Sequence, residues 1–299
     1  MGAVEKLGAL LPEDAAALLA ERGDRVTQVR LRPGRPVQID AVGGDGVMSD
    51  TPLESSGLKR ILAALMEYSV YARQEELDQG FFTLEDGSRV GVCGRMVGDG
   101  SSLRMAEIGS ACLRVARPVK GSADGLIRHI APHDGPLRSA LLLSPPGLGK
   151  TTLLRDIARQ LSDGGRCVGI ADERHELAAC HRGVPTLDVG ARSDVMDGCP
   201  RDQAVARLIR GMAPGVIVAD EIGGENDARA LADAVRCGAA VVTSAHASGL
   251  EQALSRSHLR SVIEAGIVDI VALLGPRPGM LEAVWHRGAG EGVSAWRRA

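Results

Sequence analysis

The sequence predicts an α/β fold with a mostly parallel sheet, preceded by a small α+β domain. Three features carry that expectation. From residue 139 to 287, short and wholly apolar runs alternate with helical patterns. A glycine-rich turn follows the first run and opens the first of those helices. Upstream of residue 120 the runs are shorter, more polar and parted by Gly- and Asp-rich turns. Wholly apolar strands suit a sheet covered on both faces, and helices placed between them suit crossover connections.

The expected domains are 1–120 (α+β), a connector over 121–138, the α/β domain over 139–287 and a tail over 288–299. In the first domain the pattern predicts a helix from Pro12 to Glu21, strands at Val26–Leu31 and Val37–Ile39, and a helix from Leu58 to about Ser69. Ile61, Leu62, Leu65 and Met66 give that second helix its apolar stripe. Strands follow at Phe81–Leu84, Arg89–Val92 and Leu113–Val115, with turns at Asp86-Gly87 and Gly98-Asp99-Gly100. A short helix is expected around Leu126–Ile130 in the connector. In the second domain the strands are Ala140–Leu143, Cys167–Ile170, Val216–Ala219, Ala239–Thr243 and Ile270–Leu274. The helices are Thr151–Leu161, Gln203–Met212 and Asp227–Arg236, the last closed by Gly238.

Bulk properties narrow the function. The chain has 299 residues, 44% of them apolar, which is ample for a core. Its 35 basic and 38 acidic residues leave a formal charge of −3, and only six residues are aromatic. That balance supplies neither a field for a polyanion nor stacking platforms for bases, so no nucleic-acid partner is expected. The start of the chain lacks a signal-peptide layout, and the apolar stretch Val262–Leu274 is broken by Glu264 and Asp269. A bilayer span needs about 20 apolar residues. The expectation is a cytoplasmic protein. None of the six cysteines forms a C-x-x-C pair, which points to buried free thiols and away from zinc, Cys180-His181 included.

The chemistry lies in the second domain. Ser144-Pro145-Pro146-Gly147-Leu148-Gly149-Lys150-Thr151-Thr152 runs from the first strand into the first helix. A phosphate-binding loop needs that context, because backbone N–H groups and a helix N-terminus together favour negative charge. Lys150 would reach the β- and γ-phosphates of ATP, and the Thr151 hydroxyl would ligate Mg²⁺. Ser144 stands where this motif ordinarily has glycine, which is tolerable if the position does not need positive φ. Val216–Ala219 leads directly into Asp220 and Glu221. Asp220 is placed to hold Mg²⁺ through water, and Glu221 to orient or deprotonate an attacking water. The end of the second strand brings Asp172, Glu173 and Glu176, and another strand ends in Ser244 and His246. Ligands of open parallel sheets sit at the carboxyl ends of the strands, so four strands would deliver polar groups to one rim. The alternative for the acids is a solvated helix start, and for His246 a loop cap. Leu161-Ser-Asp-Gly-Gly-Arg166 imitates a transporter signature, but it ends a helix and is expected to be a C-cap turn. The loop, the Asp-Glu strand and their spacing together predict a RecA-like P-loop NTPase core.

These residues resemble the stage III sporulation protein AA family, relatives of the type II/IV secretion and pilus-retraction ATPases. The resembling stretches are Tyr68–Phe81, Arg89–Arg95, Ser144–Asp156, Ala171–Cys180 and Val216–Gly223. The resemblance implies an ATP-hydrolysing motor that assembles as a homo-oligomer, a hexameric ring. It also implies membrane-embedded secretion channel subunits as partners, a peripheral position at a membrane complex, and a role between mother cell and forespore. It matches Asp172, Glu173 and Glu176 to an acidic box, and His246 to a histidine box. Arg89, Arg95 and Arg114 match a region that supplies cations to a neighbour's nucleotide. The tetracysteine element of some secretion ATPases is missing, and Asp220 stands where pilus motors often have glycine. Both departures favour the sporulation branch. Two alternatives remain at this level: a nucleic-acid translocase on the same core, and a non-hydrolysing nucleotide-dependent assembly scaffold.

Overall fold

The computed structural model describes residues 3–44, 46–66, 74–84, 86–99, 103–116, 120–180, 182–288 and 296–299. The chain divides into two compact units. One comprises Met1–Arg117 with Ala179–Arg182, and the other Pro118–Ala178 with Gly183–Ala299.

The first unit begins with helices α1 (Ala3–Gly8) and α2 (Glu13–Arg22). Strands β1 (Val26–Leu31), β2 (Pro36–Ala41) and β3 (Val47–Pro52) follow, then helices α3 (Ser55–Leu65) and α4 (Gln74–Asp78). Strands β4 (Phe81–Thr83), β5 (Arg89–Val97) and β6 (Arg104–Arg114) complete it. The sheet is antiparallel, in the order β3-β2-β1-β6-β5-β4. Side chains alternate across it. Val29 and Leu31, Val37 and Ile39, Val90 and Val92, and Ala111 and Leu113 are buried together with Leu58, Ile61, Leu62 and Leu65 of α3. The alternate residues Gln28, Arg30, Arg89, Cys112 and Arg114 are left to the other face. The sequence missed α1, α4 and β3. It also stopped β5 five residues early and recognised only the end of β6, because the outer halves of both strands are exposed and lack an apolar pattern. The expected end of α3 at Ser69, and Gly100 of the expected turn, lie outside the described residues.

The second unit holds α5 (Asp124–Ile130), β7 (Ala140–Ser144), α6 (Lys150–Asp163), β8 (Val168–Asp172), β9 (Ser193–Asp197), α7 (Arg201–Met212) and β10 (Val216–Ala219). It continues with α8 (Glu225–Arg236), β11 (Ala240–His246), α9 (Leu250–Leu254), α10 (Ser257–Glu264), β12 (Ile270–Leu274), β13 (Leu281–Arg287) and β14 (Trp296–Arg298). The sheet order is β14-β13-β12-β7-β11-β10-β8-β9. The six strands from β12 to β9 run parallel, and β13 and β14 add an antiparallel edge. This is the RecA-like α/β architecture the sequence predicts. The stretch read as tail is not all tail: Trp296 is buried and β14 pairs with β13.

Two glycines show how tightly the second unit is built. Gly149 precedes α6 at φ 85°, a left-handed conformation costly to any residue with a Cβ. Gly169 lies inside β8, where a Cβ would stand 3.1 Å from the Pro214 ring and 2.9 Å from Ile217. The thiols differ from expectation. Cys180 is buried, but Cys112 and Cys199 are half-buried and Cys93, Cys167 and Cys237 are exposed, Cys93 in the exposed outer half of β5. The Leu161–Arg166 segment does form the expected turn, with Gly165 at φ 90° and the Arg166 N–H donating to the Leu161 carbonyl. His181 lies outside the described residues.

Gly169→Val is expected to destabilise the second unit by about 1–3 kcal/mol, the usual cost of overpacking, because a proline ring cannot yield as a flexible side chain would. A lower urea midpoint with unchanged slope would register it.

Candidate active site

Strand register builds the site. In the pairing of β11 with β7, His246 stands opposite Ser144. Ala219 pairs with both Ala171 and Thr243, so Asp172, Asp220 and Ser244 each follow one residue later at the same level. The carboxyl ends of β7, β8, β10 and β11 therefore meet at one rim, around a cleft of about 390 Å³. Pro146, Gly147, Gly149, Lys150, Thr151 and Thr152 line one side; Asp172, Glu173, Arg174, Glu176, Arg201, Asp220, Glu221 and His246 line the rest. Ser144, Pro145 and Leu148 are not among the lining residues.

Lys150 opens α6 and is 7% exposed. Its ammonium donates to Ser144 Oγ at 3.1 Å, to the Ser144 and Pro145 carbonyls at 3.3 and 3.4 Å, and to His246 Nδ1 at 2.9 Å. Since the ammonium only donates, Nδ1 of His246 is the acceptor and the ring proton sits on Nε2. Burial lowers the lysine's pKa, and the Asp220 and Glu221 carboxylates act in the opposite direction. Ser144 is not among the described non-glycine residues with positive φ, so its backbone tolerates the missing glycine. Its hydroxyl adds an acceptor for the lysine.

Across the cleft the Thr151 hydroxyl donates to Asp220 Oδ2 at 2.8 Å. Ser244 Oγ donates to Asp220 Oδ1 at 2.7 Å, and the Glu221 N–H reaches both Asp220 Oδ1 and Ser244 Oγ. A carboxylate fixed by a hydroxyl and an amide, with a second hydroxyl beside it, is a hard oxygen set of the kind Mg²⁺ takes. Glu221 itself is held on both sides. Arg174 Nη1 donates to one oxygen at 3.1 Å, and His246 Nε2 lies 3.5 Å from the other.

The acidic segment after β8 separates into different tasks. Asp172 is 2% exposed and spends both oxygens on backbone, accepting from the Glu176 and Ala178 N–H groups at 2.8 Å each. Burial raises its pKa despite those bonds. Its carboxylate shapes the loop, in which His175 and Ala179 hold positive φ. Glu173 pairs with Arg201 at 3.0 Å, and Arg201 also grips Asp227 at 2.9 Å. Arg155 holds the Glu176 and Leu177 carbonyls, both at 2.6 Å, fixing the loop against α6.

A family model described as "Sporulation stage III, protein AA" matches residues 15–291. Stage III sporulation protein AA of Bacillus subtilis is 34% identical over 277 residues, covering 89% of each chain. The chain belongs to the sporulation stage III protein AA family. Among solved structures, the Legionella pneumophila ATPase DotB aligns with a TM-score of 0.55 at 18% identity, covering 92% of this chain and 75% of that one. The pilus retraction motor PilT with bound ADP aligns at 0.58 and 14%, covering 88% and 77%. Those structural alignments show a shared fold.

In this family member the candidate arginines of the first unit do not stay together. Arg89 and Arg114 are directly opposite on β5 and β6, and both line a second cavity of about 390 Å³ with Arg30 and Arg32. Arg95 stands outside it, six residues along β5 from Arg89 (~20 Å in an extended strand) and opposite Glu107. Sequence reasoning missed Arg30 and Arg32 here, and Arg174 and Arg201 in the cleft. The alternation Gln28-Val-Arg30-Leu-Arg32 was the available signal for the first pair.

Asp172→Ala should destabilise the protein by about 1–3 kcal/mol, the cost of stranding a buried N–H such as that of Ala178. Chemical denaturation would measure this, and a fall confined to activity would contradict the structural role.

Proposed function

We propose that the chain is a Mg²⁺-dependent ATPase that works as a motor subunit. The observation that carries this is the meeting of Lys150, Thr151, Asp220 and Glu221 in one cleft, at a helix N-terminus and the carboxyl edge of a parallel sheet. The triphosphate would lie along residues 144–152, with amide N–H groups and the α6 dipole facing its oxygens. Lys150 would turn its ammonium from the loop carbonyls to the β- and γ-phosphates. Thr151 and Asp220 would hold Mg²⁺, which when bound neutralises phosphate charge. Glu221 would orient the attacking water and take its proton, with Glu173 or Glu176 as the next candidates for base. His246, bonded to Lys150 and close to Glu221, would report phosphate occupancy to the base.

Lys150→Ala should abolish nucleotide binding, and Glu221→Gln should retain it while slowing turnover by on the order of 10²-fold or more. Equilibrium binding of a fluorescent nucleotide alongside phosphate release measures both. Wild-type ATP affinity in Lys150→Ala would remove the assignment.

Membership of the sporulation family, together with the fold of secretion and pilus ATPases, supports a finer reading. The chain would form a homo-oligomeric ring, at the periphery of a membrane channel complex used in sporulation. Among the described residues no helix is long and apolar enough to cross a membrane, so membrane-embedded partners would supply the channel. Arg89 and Arg114 would then present cations to a neighbouring copy's nucleotide, with Arg95 dropped from the set. A trans arginine is typically worth about 10³–10⁵ in rate. Specific activity should rise with protein concentration, and mixing Arg89→Ala/Arg114→Ala with Lys150→Ala should restore activity that neither has alone. Concentration-independent activity in a demonstrated monomer would refute the trans arrangement.

A further inference from the structure

Two arginines line the cleft, and they are held very differently. The Arg201 side chain is 6% exposed and forks between Glu173 and Asp227, so it ties the end of β8 to the start of α8. The Arg174 side chain is 65% exposed, and its hydrogen bond at 3.1 Å goes to Glu221. The other Glu221 oxygen faces His246 Nε2 at 3.5 Å. With a guanidinium on one oxygen and an imidazole near the other, both Glu221 oxygens are engaged by side chains of the cleft.

An exposed, singly bonded ion pair is weakly held. Arg174 lines the same cavity as Lys150 and Thr151, so a triphosphate there would present it with a stronger anion within side-chain reach. Guanidinium matches phosphate oxygens as well as carboxylate oxygens. We propose that Arg174 is a cis arginine that exchanges Glu221 for the terminal phosphate of a bound nucleoside triphosphate, freeing the carboxylate only when that phosphate is present. This rests on the reading of the cleft as a nucleotide site with Glu221 beside the attacking water. It adds a residue that discriminates triphosphate from diphosphate.

Affinity for the β,γ-imido analogue of ATP and for ADP, each with Mg²⁺, tests it on the full chain without turnover. Arg174→Ala should weaken the analogue about 10-fold, the scale of one charge-assisted bond, and leave ADP within about twofold. Arg174→Lys should recover part of the loss. Glu221→Gln should tighten the analogue severalfold by releasing Arg174, and that gain should vanish in the double variant. Equal affinities in Arg174→Ala and wild type would overturn the proposal, as would parallel losses for analogue and ADP. Unchanged thermal midpoints establish that the variants are folded. Failure of the base assignment would show separately, as normal ATP hydrolysis by Glu221→Gln.

Discussion

A cation placed below the protein surface has to be answered by lone pairs, and much of the cleft is arranged around that need at Lys150. Four acceptors meet its ammonium: two carbonyls of the loop it follows, the Ser144 hydroxyl and His246 Nδ1. The requirement accounts for two features that are otherwise unrelated in sequence. Serine at the first loop position keeps an ordinary backbone conformation and contributes an oxygen that glycine lacks. A histidine 96 residues downstream is brought within 2.9 Å because the β11–β7 register sets it opposite that serine. Without that pairing the lysine would lack its nitrogen acceptor, and its pKa, already lowered by burial, would have one less partner to support the charge.

The same dependence on register explains which parts of the fold were legible. β7, β8, β10, β11 and β12 are wholly or almost wholly buried, so they had to be continuous apolar runs and were read as such. β9 and β14 lie at the sheet edges, where β9 is half-buried throughout and two of the three β14 residues are exposed, leaving sequences such as Ser193-Asp-Val-Met-Asp197 without an apolar signature. β13 alternates too loosely to announce itself, and α9 and α10 are too short to show much helical period. Both cases fail for one reason: their stability comes from what they pack against, which the sequence does not order in space.

At the cleft, residues at strand ends were legible because an apolar run points to the position that follows it. What the sequence withheld were the partners. Asp172 belonged by pattern with Glu173 and Glu176, but a carboxylate at 2% exposure is claimed by the amides around it, and these are known only when the loop is folded. Arg174 was visible inside the acidic segment and Arg201 at the head of a helix. Their contrasting grips on Glu221 and Glu173 depend on how β8, β10 and α7 come together.

Charge balance connects the cleft with the first unit. Five carboxylates line the cleft, from Asp172, Glu173, Glu176, Asp220 and Glu221, against three cations, Lys150, Arg174 and Arg201. A surplus of negative charge is an odd receptor for a polyphosphate, and one of the three cations is committed to internal pairs. On the proposed reading, Mg²⁺ supplies part of the deficit, and an arginine from outside the cleft supplies more as charge spreads over the γ-oxygens. The sheet of the first unit has the opposite imbalance. Arg30, Arg32, Arg89 and Arg114 line its cavity with no carboxylate among the lining residues, and Arg89 and Arg114 face each other across a strand pair. On the same reading, a second copy that brought a nucleotide to this face would set the surplus of cations on this sheet against the shortage in the cleft.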